Sequence, residues 1–168
     1  MKKIAMLIEN MFDTREFIYP YYRLQEEGFE VDLIGPKKDT VFTSKDGLKE
    51  TSTHASDEVS AADYDALVIP GGFSPDYMRR TQATVDFVTE MNKADKLIAA
   101  ICHAPWMLAS ADAIRGKKVT SFFSIKDDLI NAGAEWVDRE VVVDGNIISS
   151  RNPNDLPIFL KTIIKELK

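Results

Sequence analysis

Short apolar runs alternate with amphipathic stretches along the whole chain. Residues 3–8 (KIAMLI), 30–35 (EVDLIG), 66–69 (ALVI) and 97–101 (LIAAI) are apolar over most of their length and bounded by polar residues. That is the pattern of strands covered on both faces of a parallel sheet. Residues 14–28 place Phe17, Tyr21 and Leu24 on one helical face and end at Gly28, which predicts a helix with a kink at Pro20. Residues 81–94 repeat the helical period through Val85, Val88 and Met91. A helix is expected from about 105 to 115, stopped by Gly116, and residues 125–132 read as another. The stretch 155–167 aligns Leu156, Leu160, Ile163, Ile164 and Leu167 in one stripe. Residues 140–150 predict two strands joined at Asp144-Gly145, a hairpin signal. Residues 37–62 are polar and predict short hairpin strands near Val41 and Leu48 within loop. Ser74-Pro75-Asp76 has the form of a helix start, with Ser74 as N-cap and Pro75 in the first position.

Strands and helices that alternate with short connections predict an α/β sandwich around a largely parallel sheet. The 168 residues suit one domain, 1–168, with a sizeable core. In such folds sites form beyond the carboxyl ends of the strands. Three of those ends carry reactive residue types here: Glu9 to Glu16, Gly71-Gly72, and Cys102-His103.

Composition removes several classes. The 27 acidic against 21 basic residues give a net charge of −6, and no basic run interrupts it, which argues against a nucleic-acid surface. No apolar stretch approaches membrane-spanning length, and the first apolar segment ends at Glu9, too soon for a signal peptide. One cysteine cannot form an internal disulfide, so a cytoplasmic, reducing location is expected. One cysteine and two histidines are a poor zinc ligand set, and no phosphate loop or dinucleotide fingerprint is present, so no metal and no cofactor is expected.

The chemistry converges on Cys102. A strand that breaks sharply into a helix at a nucleophile strains the nucleophile's backbone and exposes its side chain. The required small–x–nucleophile–x–small pattern is met by Ala100, Ile101, Cys102, His103 and Ala104. Helix-end N–H groups and a neighbouring imidazole would favour a thiolate there. His103 could serve as general base or as a stabilising cation. Successive side chains on a regular helix diverge by about 100°, so the pair can meet only at an irregular bend. His54 lies in the polar stretch and is set aside. Glu16 fits two roles equally: closing a capping box with Asp13, or placing a carboxyl beside the sulfur. Gly71 and Gly72 could make a turn or supply oxyanion-stabilising N–H groups. Asp76 on sequence alone is an acid in a helix's first turn. The Tyr19, Tyr21, Tyr22 group and Phe122-Phe123 read as core or subunit contact, and Asp127-Asp128 as surface charge.

Together, Glu16-Phe17-Ile18-Tyr19-Pro20, Pro70-Gly71-Gly72, Ala100 to Pro105 and Ile125 to Val137 resemble the PfpI family of intracellular-protease-I-like proteins, relatives of the parkinsonism-associated deglycases and of glutamine amidotransferase domains. The resemblance runs from about residue 3 to 167. It implies a flavodoxin-like three-layer α/β sandwich with Cys102 as nucleophile, His103 beside it, and Glu16 hydrogen-bonded to the sulfur. It implies oxyanion donors at Gly71, Gly72 and His103. Some members complete a triad with an acid from a neighbouring subunit at the position of Asp76, where the family's proteases carry glutamate; aspartate is one methylene shorter. Ala104 stands where many members have glycine. The activities attributed to the family imply a cofactor-free cysteine enzyme acting on small reactive carbonyls, as a glyoxalase or deglycase in stress response. The alternatives are an ATP-independent peptidase and a redox-sensing or chaperone-like protein. The expected partners are a small aldehyde or peptide substrate and further copies of the chain, as a dimer or larger.

Overall fold

The computed structural model describes residues 1–168. In chain order the elements are β1 (Lys3–Leu7), α1 (Thr14–Glu26), β2 (Glu30–Gly35), β3 (Val41–Thr43), β4 (Lys49–Thr51), β5 (His54–Ala55), β6 (Ala66–Ile69), α2 (Ser74–Met78) and α3 (Gln82–Lys93). They continue with β7 (Leu97–Ile101), α4 (Pro105–Ser110), β8 (Lys118–Val119), α5 (Lys126–Asn131), β9 (Glu135–Trp136), β10 (Val141–Asp144), β11 (Ile147–Ser150) and α6 (Leu156–Leu167). The central sheet has seven strands in the order β10-β11-β7-β6-β1-β2-β5, and every pairing is parallel except β10 with β11. This is the expected α/β sandwich.

The period of two along each strand divides the core into two layers. Ala5, Leu7, Leu67, Ile69, Ile98 and Ala100 pack with Val88 and Met91 of α3, Leu108 of α4 and Leu129 of α5. Their neighbours Ile4, Met6, Ala66, Val68, Ala99 and Ile101 face the other way, against Phe17 and Leu24 of α1 and Phe159, Leu160 and Ile163 of α6. A strand buried on both sides needs both residue sets apolar, which is why these strands lack polar alternation. Each fully buried large side chain contributes about 1.5–3 kcal/mol.

The structure refines the sequence expectation at four places. Helix α1 continues through Pro20 from Thr14 to Glu26, with Gly28 at φ +84° just past its end. Helix α4 stops at Ser110, because the chain leaves it through Asp112 in the left-handed region (φ +51°) to bury Ala113 and Ile114. Ser74 does not cap α2; it lies inside the first turn and its hydroxyl donates to the Gly71 carbonyl at 2.8 Å. The polar stretch does hold the β3–β4 hairpin, and its continuation adds β5 to the sheet edge beside β2.

Candidate active site

The carboxyl ends of β1, β6 and β7 lie side by side in the sheet, and the chain turns sharply after each. After β7, Cys102 adopts φ +64°. A non-glycine residue there costs about 1–3 kcal/mol and persists only when its surroundings hold it. Three hydrogen bonds do so: the Cys102 N–H donates to Ser150 O at 3.0 Å, the Phe122 N–H donates to Cys102 O at 2.9 Å, and the Ala104 N–H donates to Ile101 O at 2.9 Å. Cys102 is 8% exposed, at the wall of a pocket of about 340 Å³.

After β6, Gly72 takes φ +75° and its Cα packs against the segment that follows β1. A Cβ on Gly72 would lie 2.4 Å from Asp13 N and 2.5 Å from Met11 O. The two turns are stitched together, with the Asp13 N–H donating to Gly71 O and the Phe73 N–H to Met11 O. Gly71 is equally constrained: a Cβ there would sit 2.5 Å from Glu16 Oε2 and 2.8 Å from Cys102 Cβ.

Glu16 is 1% exposed, in the first turn of α1. Asp13 caps that helix, its Oδ1 accepting from the Arg15 and Glu16 N–H groups. Glu16 does not close a capping box. Its Oε2 accepts from the Gly71 N–H at 2.7 Å, and its buried Oε1 has no conventional partner. Cys102 is its neighbour across the Gly71 turn: a Cβ on Gly71 would touch both Glu16 Oε2 and Cys102 Cβ. Burial, and then the charge of Asp13, push Glu16 up to about 8. At neutral pH it holds a proton.

Burial, and then a charged Glu16, push the Cys102 thiol up, while the Gly72 and His103 N–H groups pull it down. On balance the thiol is raised, with burial the largest cause; protonation of Glu16 removes only the charge part of that opposition. His103 Nδ1 lies 3.3 Å from Sγ, and Nε2 lies 3.3 Å from Ser124 Oγ. The ring stacks on Phe122 (centroids 5.2 Å apart) and meets the edge of Trp106. Burial and the nearby Lys45 charge lower its pKa, which favours the neutral imidazole.

The structure therefore brings Cys102, His103, Glu16, Gly71 and Gly72 together. It revises two expectations within the group. The Gly71 N–H is taken by Glu16, so the N–H groups aimed at the sulfur are those of Gly72 and His103. The six-residue α4 begins at Pro105, so these individual donors replace the expected helix end. Asp76 does not line the pocket; within its own chain it pairs with Arg80. The pocket also recruits residues the sequence reading did not assign to it. Arg15 and Lys45 form a charged wall, and Met11, Phe73, Phe122 and Pro153 form an apolar one. Phe122, expected in core or at a contact, supports His103 instead. Lys45 lies 57 positions before Cys102 on the tip of the hairpin, where its N–H donates to Phe12 O. Its polar surroundings in sequence gave no signal of that return. No three His, Cys, Asp or Glu side chains gather to hold a metal ion, and no helix is long and apolar enough to cross a membrane.

The chain matches known proteins over nearly its whole length. Residues 2–166 match the DJ-1/PfpI family. The chain is 46% identical over 166 residues to Deglycase PfpI of Pyrococcus furiosus, covering 99% of both chains. It is 42% identical over 168 residues to Protein/nucleic acid deglycase 2 of Escherichia coli, covering 99% of this chain and 98% of that one. Among solved structures it superposes with a TM-score of 0.97 and 44% identity on a two-domain protein with dj-1/thij/pfpi-like and ferritin-like domains from Anabaena variabilis; the match covers 99% of this chain and 48% of that one.

Proposed function

The chain belongs to the DJ-1/PfpI family, and from that premise we propose that it is a cysteine-dependent stress-response enzyme acting on small reactive carbonyls, as a glyoxalase or deglycase. The observation that carries this reading is the pairing of a strained cysteine with a buried carboxyl, which burial pushes toward its protonated form. In this reading the resting pair holds its one proton on Glu16, at the oxygen not held by Gly71. The negative charge of the pair then rests on Sγ, stabilised by the Gly72 and His103 N–H groups.

With a 2-oxoaldehyde, Sγ bonds to the aldehyde carbon, and the carbonyl oxygen takes the Glu16 proton to give a hemithioacetal. The Glu16 carboxylate or the neutral His103 removes the proton from that carbon and delivers it to the adjacent one. The first carbon is thereby oxidised to a thioester while the second is reduced to an alcohol. Water cleaves the thioester, releasing a 2-hydroxy acid and restoring the thiol. The sum is oxoaldehyde plus water, with no external oxidant. An aldehyde held as an adduct on an amino group would enter the same sequence after the amine leaves. A pocket of about 340 Å³ lies at the small end of the ~300–1,000 Å³ typical of ligand sites and suits such compounds. The acid at Asp76 would act across an interface between copies of the chain.

Lactate formation from methylglyoxal tests the reading. Wild type should exceed both Cys102→Ser and Glu16→Gln by at least about 10²-fold, the scale of general acid–base catalysis. Equal rates for wild type and Cys102→Ser refute it. Peptide cleavage by a monodisperse preparation that is lost in Cys102→Ser would establish the peptidase instead.

A further inference from the structure

The part of the pocket lining formed by Asp13, Arg15 and Lys45 is charged in a way the carbonyl chemistry does not require. Asp13 is 2% exposed and takes every cation within reach. Its Oδ2 accepts from Lys45 Nζ at 2.6 Å and from Arg15 Nη2 at 3.3 Å. Its Oδ1 accepts from the Arg15 and Glu16 backbone N–H groups and more weakly from Arg15 Nε. The carboxylate is saturated and the cations are not. Lysine has three donors and arginine five, so after these contacts two on Lys45 and three on Arg15 are free. One carboxylate also balances only one of two positive charges. Asp46, outside the pocket lining, is the only other carboxylate besides Glu16 whose charge acts on both cations, so inside the pocket the donors of this wall face the nucleophile without a second acceptor of their own. Lys45 lies close enough for its charge to be felt by both Glu16 and His103.

We propose that Lys45 and Arg15, braced by Asp13, form a carboxylate subsite in the pocket, so that this site takes small carbonyl compounds bearing their own carboxylate. The subsite rests on the carbonyl reading above and narrows it. Two N–H donors from different side chains meet a planar carboxylate well, because each oxygen takes its own donor. The apolar wall of Met11, Phe73 and Phe122 covers the carbon frame, and Sγ faces the carbonyl. Lys45 enters from the β3–β4 hairpin and Arg15 from α1, so both are fixed on elements tied to the Gly71-Gly72 turn.

Alkylation of Cys102 in the full chain tests this apart from turnover. Iodoacetate and iodoacetamide have nearly the same shape, and both react by forming a sulfur–carbon bond while iodide leaves with its electron pair; only iodoacetate carries a carboxylate. The rate ratio of the two, read by intact mass spectrometry, cancels any change in thiolate fraction. Lys45→Gln and Arg15→Gln should each lower the iodoacetate/iodoacetamide ratio by about fivefold, the upper range for a partly exposed charge contact. Lys45→Arg should keep it within about twofold. Lys161→Gln, an exposed charge on α6, should leave it unchanged. Arg15 is 64% exposed, so its variant tests the subsite without disturbing the fold. An unchanged ratio in both glutamine variants overturns the subsite and leaves the carbonyl reading standing. Failure of both reagents to label wild-type Cys102 overturns that reading and the subsite with it.

Discussion

The protonated state of Glu16 has a measurable consequence for stability. In the unfolded chain this carboxyl titrates near 4.5; in the fold, burial raises it to about 8. Between those values the unfolded chain has released the proton while the folded chain still holds it. Stability from this group is therefore fully present below about pH 4.5 and is lost as pH rises toward 8. The slope approaches about 1.4 kcal/mol per pH unit within the window. At 1% exposure, solvent screening does not reduce it much. The clean comparison is Cys102→Ala against Cys102→Ala/Glu16→Gln, where no thiol titrates and the amide still accepts from the Gly71 N–H. Urea unfolding from pH 5 to 7.5 should show the double variant gaining about 3 kcal/mol relative to the single one. Parallel stability curves would mean that Glu16 is ionised in the fold, and its role as proton donor to the sulfur would fall.

Other outcomes follow from the packing of the turns. Gly72→Ala must place a Cβ 2.4 Å from Asp13 N at a positive φ, and should cost at least about 2 kcal/mol, lowering Tm by about 5 °C or more; an unchanged Tm would show that the two turns can part without cost. Asp13→Ala removes the cap of α1 and the shared partner of Arg15 and Lys45, and should cost about 1–2 kcal/mol in chemical denaturation; no loss would remove its bracing role. Light scattering should find a dimer or larger assembly; a monomer ends any role for Asp76 on a partner's His103.

The layers of the fold were legible because strands covered on both faces must be apolar on both: Ala66–Ile69 and Leu97–Ile101 are so throughout, and Lys3–Leu7 is so after its first residue. The cap and stop of α1 were legible because Asp13 and Gly28 have local physical jobs. The end of α4 was not: Asp112 turns left-handed to bury Ala113 and Ile114, a tertiary demand written nowhere near it. The elbow at Cys102 announced itself through its small neighbours. Glu16 was ambiguous, since its spacing from Asp13 suits a capping box and only the approach of Gly71 pulls it inward. Lys45 was invisible, since it reaches the pocket through a hairpin whose fold-back depends on contacts with Phe12 and Asp13.

The account depends most on charge residing on the Cys102 sulfur beside a protonated Glu16. Its most direct test is the pH dependence of Cys102 alkylation by iodoacetamide in the intact wild-type protein. The account predicts a rate that is half-maximal below about pH 7, against the upward push of burial on the thiol, and level until Glu16 begins to ionise near 8. A rate still climbing through about pH 9, as for an unassisted thiol or one slower still, would contradict it.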